Sequence, residues 1–282
     1  MAIRIVVDSS SDIPKNISKD LGIVTVPMPV YIDGNLFHEG VDLFTDEFYA
    51  NFKNYKDLPK TSQPSPNILK DIYEKVLAEG HDVIAIHLSS GLSSTYQTAV
   101  MVRDICSAPE RIHLIDSLGA SLGFGLQAIL ACRLASKYEN AADLVKHILE
   151  IRDKMRYIFT LDTLEYLVKG GRISKTAGFV AGLLDVKPIL HINPQGKIDV
   201  LSKVRSRKAA LRKLVEIMEQ NITEPENQII GISHAACLEE AKDLAAEIRN
   251  KLPIREIIIG EIGSVVGSHV GPGTLALFFQ KA

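Results

Sequence analysis

The feature that most constrains this chain is an alternation of short apolar runs with amphipathic helical patterns. Ile3–Val7, Val83–Leu88, Ile112–Ile115, Tyr157–Leu161, Ile229–Ser233 and Ile257–Ile262 read as strands. Helix signals stand between several of them. Ser65 precedes Pro66 as an N-cap, with Gly80 as the stop, and Asn140 caps a helix carrying Leu144, Ile148 and Ile151. Strand–helix alternation predicts α/β units with largely parallel pairing. Two hairpins break the pattern. One is a small insertion at 24–40, in which Thr25–Ile32 and Leu36–His38 flank Asp33-Gly34-Asn35. The other joins Pro188–Ile192 to Lys197–Val204 through Asn193-Pro194-Gln195-Gly196 and is antiparallel. A chain of 282 residues suits two domains. We expect residues 1–155 to form an α/β domain with a mostly parallel sheet, and 156–282 a second with a mixed sheet. No Gly-, Ser- or Pro-rich linker separates them, so close packing is expected.

Composition excludes several classes of function. A formal charge of -2 gives no general attraction to nucleic acid or to an anionic membrane. Cys106, Cys132 and Cys237 form no CxxC pair, which argues against a disulfide framework and a structural zinc site and fits a reducing compartment. Met1–Val7 runs directly into a strand, without the pattern of a leader. The most apolar stretch, Leu118–Cys132, is shorter than the roughly 20 residues of a membrane-spanning helix. The expectation is a soluble cytoplasmic protein.

Five segments carry more polar chemistry than turns require. Asp8-Ser9-Ser10-Ser11-Asp12 follows the first strand, where α/β proteins place ligands. It reads either as a helix cap, through Ser11 or Asp12, or as a ligand contact. Lys60–Pro66 places Thr61 and Ser62 before a helix already capped by Ser65, a surplus of donors that suits an anion. Ser89–Thr95 has five hydroxyls in seven residues, yet lacks both the GxSxG elbow and the phosphate-cradling loop. Gly263–Gly273 sets His269 in a glycine-rich turn, an arrangement that lets backbone approach a ligand. Gly170-Gly171 ends a helix and leaves Arg172, followed by Ser174, on an irregular surface segment. The basic stretch Lys197, Lys203, Arg205, Arg207, Lys208, Arg212 and Lys213 lacks interleaved aromatics, so it reads as a solvated face or a dock for an acidic partner, not for nucleic acid.

Taken in order and spacing, these segments resemble the DegV family of bacterial fatty-acid-binding proteins over essentially the whole chain. The resemblance implies a two-domain α/β protein with one long-chain fatty acid buried between and within the domains. It places the carboxylate contacts on Thr61, Ser62, the Ser93–Ser94 cluster and His269. Arg172 falls where such a protein has an arginine associated with its partner, an ATP-dependent fatty acid kinase with a dihydroxyacetone-kinase-like domain, and the basic stretch around Lys203, Arg205 and Arg207 is expected to share that surface. That partner phosphorylates the carboxylate to an acyl phosphate for phospholipid synthesis, with transient exchange of lipid at a membrane surface. The carrier is expected to be no enzyme and to need neither cofactor nor metal.

The residues fit this reading independently. A carboxylate taken out of water needs several donors. Leu118–Ala135 and Thr176–Val186 are apolar around most of their circumference and hold small residues that leave room for a tail. Two other classes remain open: a small hydrolase or phosphotransferase using Ser93 or Ser94 with His269, and a small-ligand sensor. The sequence leaves open the length and unsaturation of the tail, the oligomeric state and which of Ser93 and Ser94 meets the carboxylate.

Overall fold

A computed structural model describes residues 3–173 and 186–281. The predicted apolar segment Thr176–Val186 and Ser174 lie outside the described residues, apart from Val186. The first sheet is parallel, in the order β2 (Val24–Val26), β1 (Ile3–Asp8), β6 (Asp82–His87), β7 (Ile112–Asp116). All six residues of β6 are buried, as a strand covered on both faces requires. Val6, Val83 and Ala85 meet α3 (Pro66–Ala78) and α4 (Thr95–Arg103) on one side. Val7, Ile84, Ile86 and Ile115 meet α5 (Leu122–Leu134) and α6 (Ala141–Lys154) on the other.

The second sheet is mixed, in the order β10 (Ile198–Val204), β9 (Lys187–Ile192), β8 (Met155–Thr160), β13 (Leu275–Gln280), β11 (Ile229–His234), β12 (Glu256–Glu261). Only β11 and β12 pair in parallel; the other neighbours are antiparallel. Alternation along β8 and β13 divides their side chains between two cores. Tyr157, Phe159, Ala276 and Phe278 point to the layer of α5. Ile158, Leu275, Leu277 and Phe279 point to the last two long helices, Arg207–Asn221 and Leu238–Lys251, which follow α7 (Glu165–Lys169) as α8 and α9. The layers run helix, sheet, helix, sheet, helix. α5 stands between the sheets and is buried around nearly its whole circumference from Leu122 to Ile129. No helix among the described residues is long and apolar enough to cross a membrane.

The insertion is larger in one direction and smaller in the other than its sequence implies. Val24–Val26, read as part of the hairpin, pairs in parallel with β1 instead. The hairpin itself is β3 (Pro29–Ile32) and β4 (Asn35–His38), and β5 (Lys60–Thr61) completes a three-stranded antiparallel sheet. α2 (Thr45–Asn51) and this sheet share a small core of Met28, Val30, Phe48, Phe52 and Val265. Val265 belongs to α10 (Ser264–Val270), so the insertion reaches across to the far end of the chain. His269 therefore sits in a helix, not in the glycine-rich turn its neighbours suggest; Gly271, at φ 72, ends that helix.

Candidate functional site

The insertion brings together two polar residues 208 positions apart: Thr61 Oγ1, on β5, and His269 Nε2, on α10, share a hydrogen bond of 2.7 Å. Burial, reinforced by the charge of Arg172, lowers the His269 pKa to about 4, so the imidazole is neutral near pH 7. Its Nδ1 finds no partner among the described residues. With the ring proton assigned to Nε2, the imidazole donates to Thr61 Oγ1 and leaves the hydroxyl hydrogen free for a ligand. Gly170 makes this ring position available: a Cβ there would lie 2.4 Å from His269 Nδ1 and 2.9 Å from the Tyr166 carbonyl. Gly170→Ala is therefore expected to displace the imidazole and cut ligand affinity roughly tenfold, the loss of about one hydrogen bond. Titration calorimetry checks this, and an unchanged affinity would show that the ring position is immaterial.

His269, Thr61, Ser62, Gln63, Ser93, Ser94 and Arg172 all line one cavity of about 170 Å³. The structure thus brings the predicted head-group residues to one place. Within it, Ser94 Oγ donates to Gln63 Oε1 at 3.0 Å, and Ser93 Oγ lies 2.9 Å from Thr95 Oγ1. Arg172 departs from expectation. Its backbone N–H bonds back to the Leu167 carbonyl at 3.0 Å, and the side chain is half-buried in the cavity wall instead of projecting from the surface. Its Nε donates to the Leu92 carbonyl at 3.2 Å and its Nη1 to the Gly170 carbonyl at 2.6 Å. Lys203, on β10, and Arg205, just beyond it, are exposed and do not line the cavity.

The cavity is polar at one end and apolar at the other. Gln63 and Ser94 are exposed, so the polar end reaches solvent. The other walls are mostly buried: Tyr157, Phe159, Ile192, Ile198, Ala276 and Phe278 cover the facing side of the second sheet. Their placement follows register. Tyr157 pairs with Phe278 and Phe159 with Ala276, giving two successive rows on one face. Gln127 Nε2 donates to the Tyr157 hydroxyl at 2.7 Å, and burial pushes that phenol's pKa upward.

The Asp8–Asp12 segment does not contribute to this cavity, and the capping alternative fails as well. α1 (Lys15–Asp20) has Pro14 at its N-cap, and Asp12 adopts φ 49. Asp8 Oδ2 instead accepts from Leu88 N at 3.0 Å and lies 3.1 Å from His87 Nδ1; Tyr73 closes the chain at 2.8 Å from His87 Nε2. All three side chains are fully buried and tie the first sheet to α3. Ser65 occupies the N-cap of α3 without a side-chain bond, whereas Asn140 accepts from Asp143 N at 3.0 Å as predicted. Sequence reasoning overlooked Met28, Ser121, Tyr157 and Phe278. The continuous apolar run Leu275–Phe279 was the available signal for the last.

Known proteins sharpen the picture. The profile of the DegV family, described as uncharacterised protein, DegV family, matches residues 2–282. A DegV domain-containing protein of Caldanaerobacter subterraneus subsp. tengcongensis is 36% identical over 279 residues, covering 99% of each chain. A DegV family protein from Thermus thermophilus, described by its fatty acid binding, superposes with a TM-score of 0.90 at 28% identity over 100% of both chains. DegV of Bacillus subtilis, described as a fatty acid binding protein, gives 0.89 at 32% identity, again over 100% of both. With the profile spanning nearly every residue and the same layered architecture end to end, this chain belongs to the DegV family.

Proposed function

We propose that the protein carries one long-chain fatty acid, its tail in the apolar end of the cavity and its carboxylate at the polar end. The observation that carries this reading is the cavity's polarity. An apolar buried wall leads to a solvent-reaching end set with Thr61, Ser62, Ser93, Ser94, Arg172 and His269. Burying a tail provides about 0.8 kcal/mol per methylene, roughly 12 kcal/mol gross for a C16 chain before ordering costs. The hydroxyls supply donors to the carboxylate and the half-buried guanidinium supplies the charge. Solved relatives described as fatty-acid-binding support the same ligand class. On this reading residues 1–155 and 156–282 act as two closely packed domains in the cytoplasm, and the protein itself catalyses nothing and needs no cofactor. His269 Nε2 meets Thr61, while Ser93 lies against Thr95 and Ser94 donates to Gln63, so neither serine is paired with the histidine as a base-activated nucleophile would be.

The next step is phosphorylation of the presented carboxylate. A carboxylate oxygen attacks the γ-phosphorus of ATP on a partner kinase, giving an acyl phosphate and ADP for phospholipid synthesis. The resemblance assigns Arg172 to that partner's side, and the basic stretch adds Lys203 and Arg205 to the same surface. Lys203 and Arg205 are exposed as such a contact requires, and Arg172 serves the ligand as well. Arg172→Ala is expected to weaken fatty-acid binding roughly tenfold, the worth of a charged hydrogen bond, and to lower acyl phosphate formation further. Arg172→Lys recovers little of either, because an ammonium cannot make both backbone bonds. Calorimetry paired with a kinase assay on the same variants checks this; normal binding and normal phosphorylation together would remove Arg172 from the site.

A further inference from the structure

A second, larger cleft of about 670 Å³ reaches Gly263, at the N-terminal end of α10, whereas Val265, Val266, His269 and Val270 of that helix line the fatty-acid cavity. Asp12, Glu39 and Gly263 face this cleft, while Ser121, Ile262 and Val265 face the cavity, so these residues form the partition between the two. Two buried carboxylates hold it together. Asp12 Oδ1 accepts from Gly263 N at 2.9 Å, and its other oxygen meets the Ser121 hydroxyl. Glu39 Oε1 accepts from Val265 N at 2.8 Å and from Ser264 Oγ at 3.0 Å, while its Oε2 accepts from Ser9 Oγ at 2.6 Å. Both carboxylates therefore cap the first turn of the helix that carries His269. They also crowd one point: a Cβ on Gly263 would lie 2.3 Å from Glu39 Oε1 and 3.0 Å from Asp12 Oδ1.

Two anions this close and this buried repel strongly unless a cation or a proton intervenes. Among the described residues every hydrogen-bond donor to the pair is a hydroxyl or a backbone N–H, and Asp8 adds a third nearby carboxylate. We infer that Asp12 and Glu39 together carry a single proton and latch the first turn of α10, so that losing this proton as pH rises frees the helix and weakens fatty-acid binding at His269. Glu39, with three donors and a place at a helix N-terminus, is the member that stays ionised. Asp12 keeps the proton. Burial and then the charge of Glu39 push its carboxyl well above the usual range, and burial also raises Glu39.

Other ionisable groups around the pair are Asp8 on β1, Lys15 and Lys19 on α1, Asp46 and Tyr49 on α2, and Glu261 on β12. The Tyr49 phenol, pushed well above 10.0 by burial, stays neutral, and His269 titrates near 4, below the window of interest. Affinity is thus retained below the pair's raised titration and lost as pH rises through it.

The inference rests on the fatty-acid reading for its effect on binding, but the latch is measurable without ligand. Affinity of delipidated protein for monomeric oleate is measured from pH 6 to 10, with amide exchange protection at Gly263 and Val265 followed over the same range. Wild type is expected to lose roughly tenfold in affinity, with a matching fall in protection, as the second charge appears. Glu39→Gln and Asp12→Asn each remove one charge and should flatten both profiles, whatever their offset at pH 7. A flat wild-type profile, or an alkaline fall that persists in both variants, overturns the latch. If no oleate binds, the carrier reading fails instead; the protection profiles then support the latch by a step confined to wild type and refute it by any other pattern.

Discussion

Ala276→Phe is expected to abolish fatty-acid retention while leaving the protein folded. Ala276 pairs with Phe159 across the second sheet and lines the cavity with it, on the face turned toward α5. A phenyl group there fills space that the tail would occupy. Introducing bulk into a packed core costs about 1–3 kcal/mol, but filling an existing cavity avoids most of that strain. Bound lipid should fall below detection by mass spectrometry, and the melting temperature of delipidated protein should be unchanged or higher. Normal lipid content in a folded Ala276→Phe protein would mean that the tail lies elsewhere.

The second large effect concerns the head group. Thr61→Val keeps the shape of the side chain but removes the hydroxyl that His269 orients at 2.7 Å. A hydrogen bond to a charged group contributes about 1.5–3 kcal/mol, so affinity for a fatty acid should fall roughly 10- to 100-fold. Affinity for the fatty alcohol of equal length should change far less, because no charge is then being solvated. His269→Ala should act in the same direction and add little to Thr61→Val, since the two residues act through one bond. Calorimetry with acid and alcohol on both single variants and the double variant checks this. Equal losses for acid and alcohol would show that Thr61 shapes the tail path and does not bind the carboxylate.

The strands of the first sheet were legible because a parallel sheet covered on both faces needs short continuous apolar runs, as in Val83–Leu88. The hydroxyl clusters were legible as a surplus: Ser65 and Pro66 already mark the start of α3, so Thr61 and Ser62 had no local task. Other features depended on contacts that no local pattern encodes. His269 sits in a helix because Glu39, 226 residues away from Val265, supplies the acceptor for its first turn; the glycines around it suggested only a turn. Arg172 lies in a wall because the Leu92 carbonyl, 80 residues distant, receives its Nε–H. The Asp8–Asp12 segment read as a cap or a ligand contact because the real partners of its carboxylates, His87 and Gly263, lie far along the chain. Periodicity reports which face of an element is buried. It does not report which distant element covers that face, and the site is built where distant elements meet.

On the proposed reading the cavity holds one fatty acid by its tail and its carboxylate. The most direct measurement is mass spectrometry of an organic extract from the purified, quantified protein, repeated after delipidation and incubation with added oleate. A long-chain fatty acid is expected at close to one per chain in the first extract, with that ratio restored in the second. A first extract free of fatty acid, followed by no uptake of oleate, would contradict that reading.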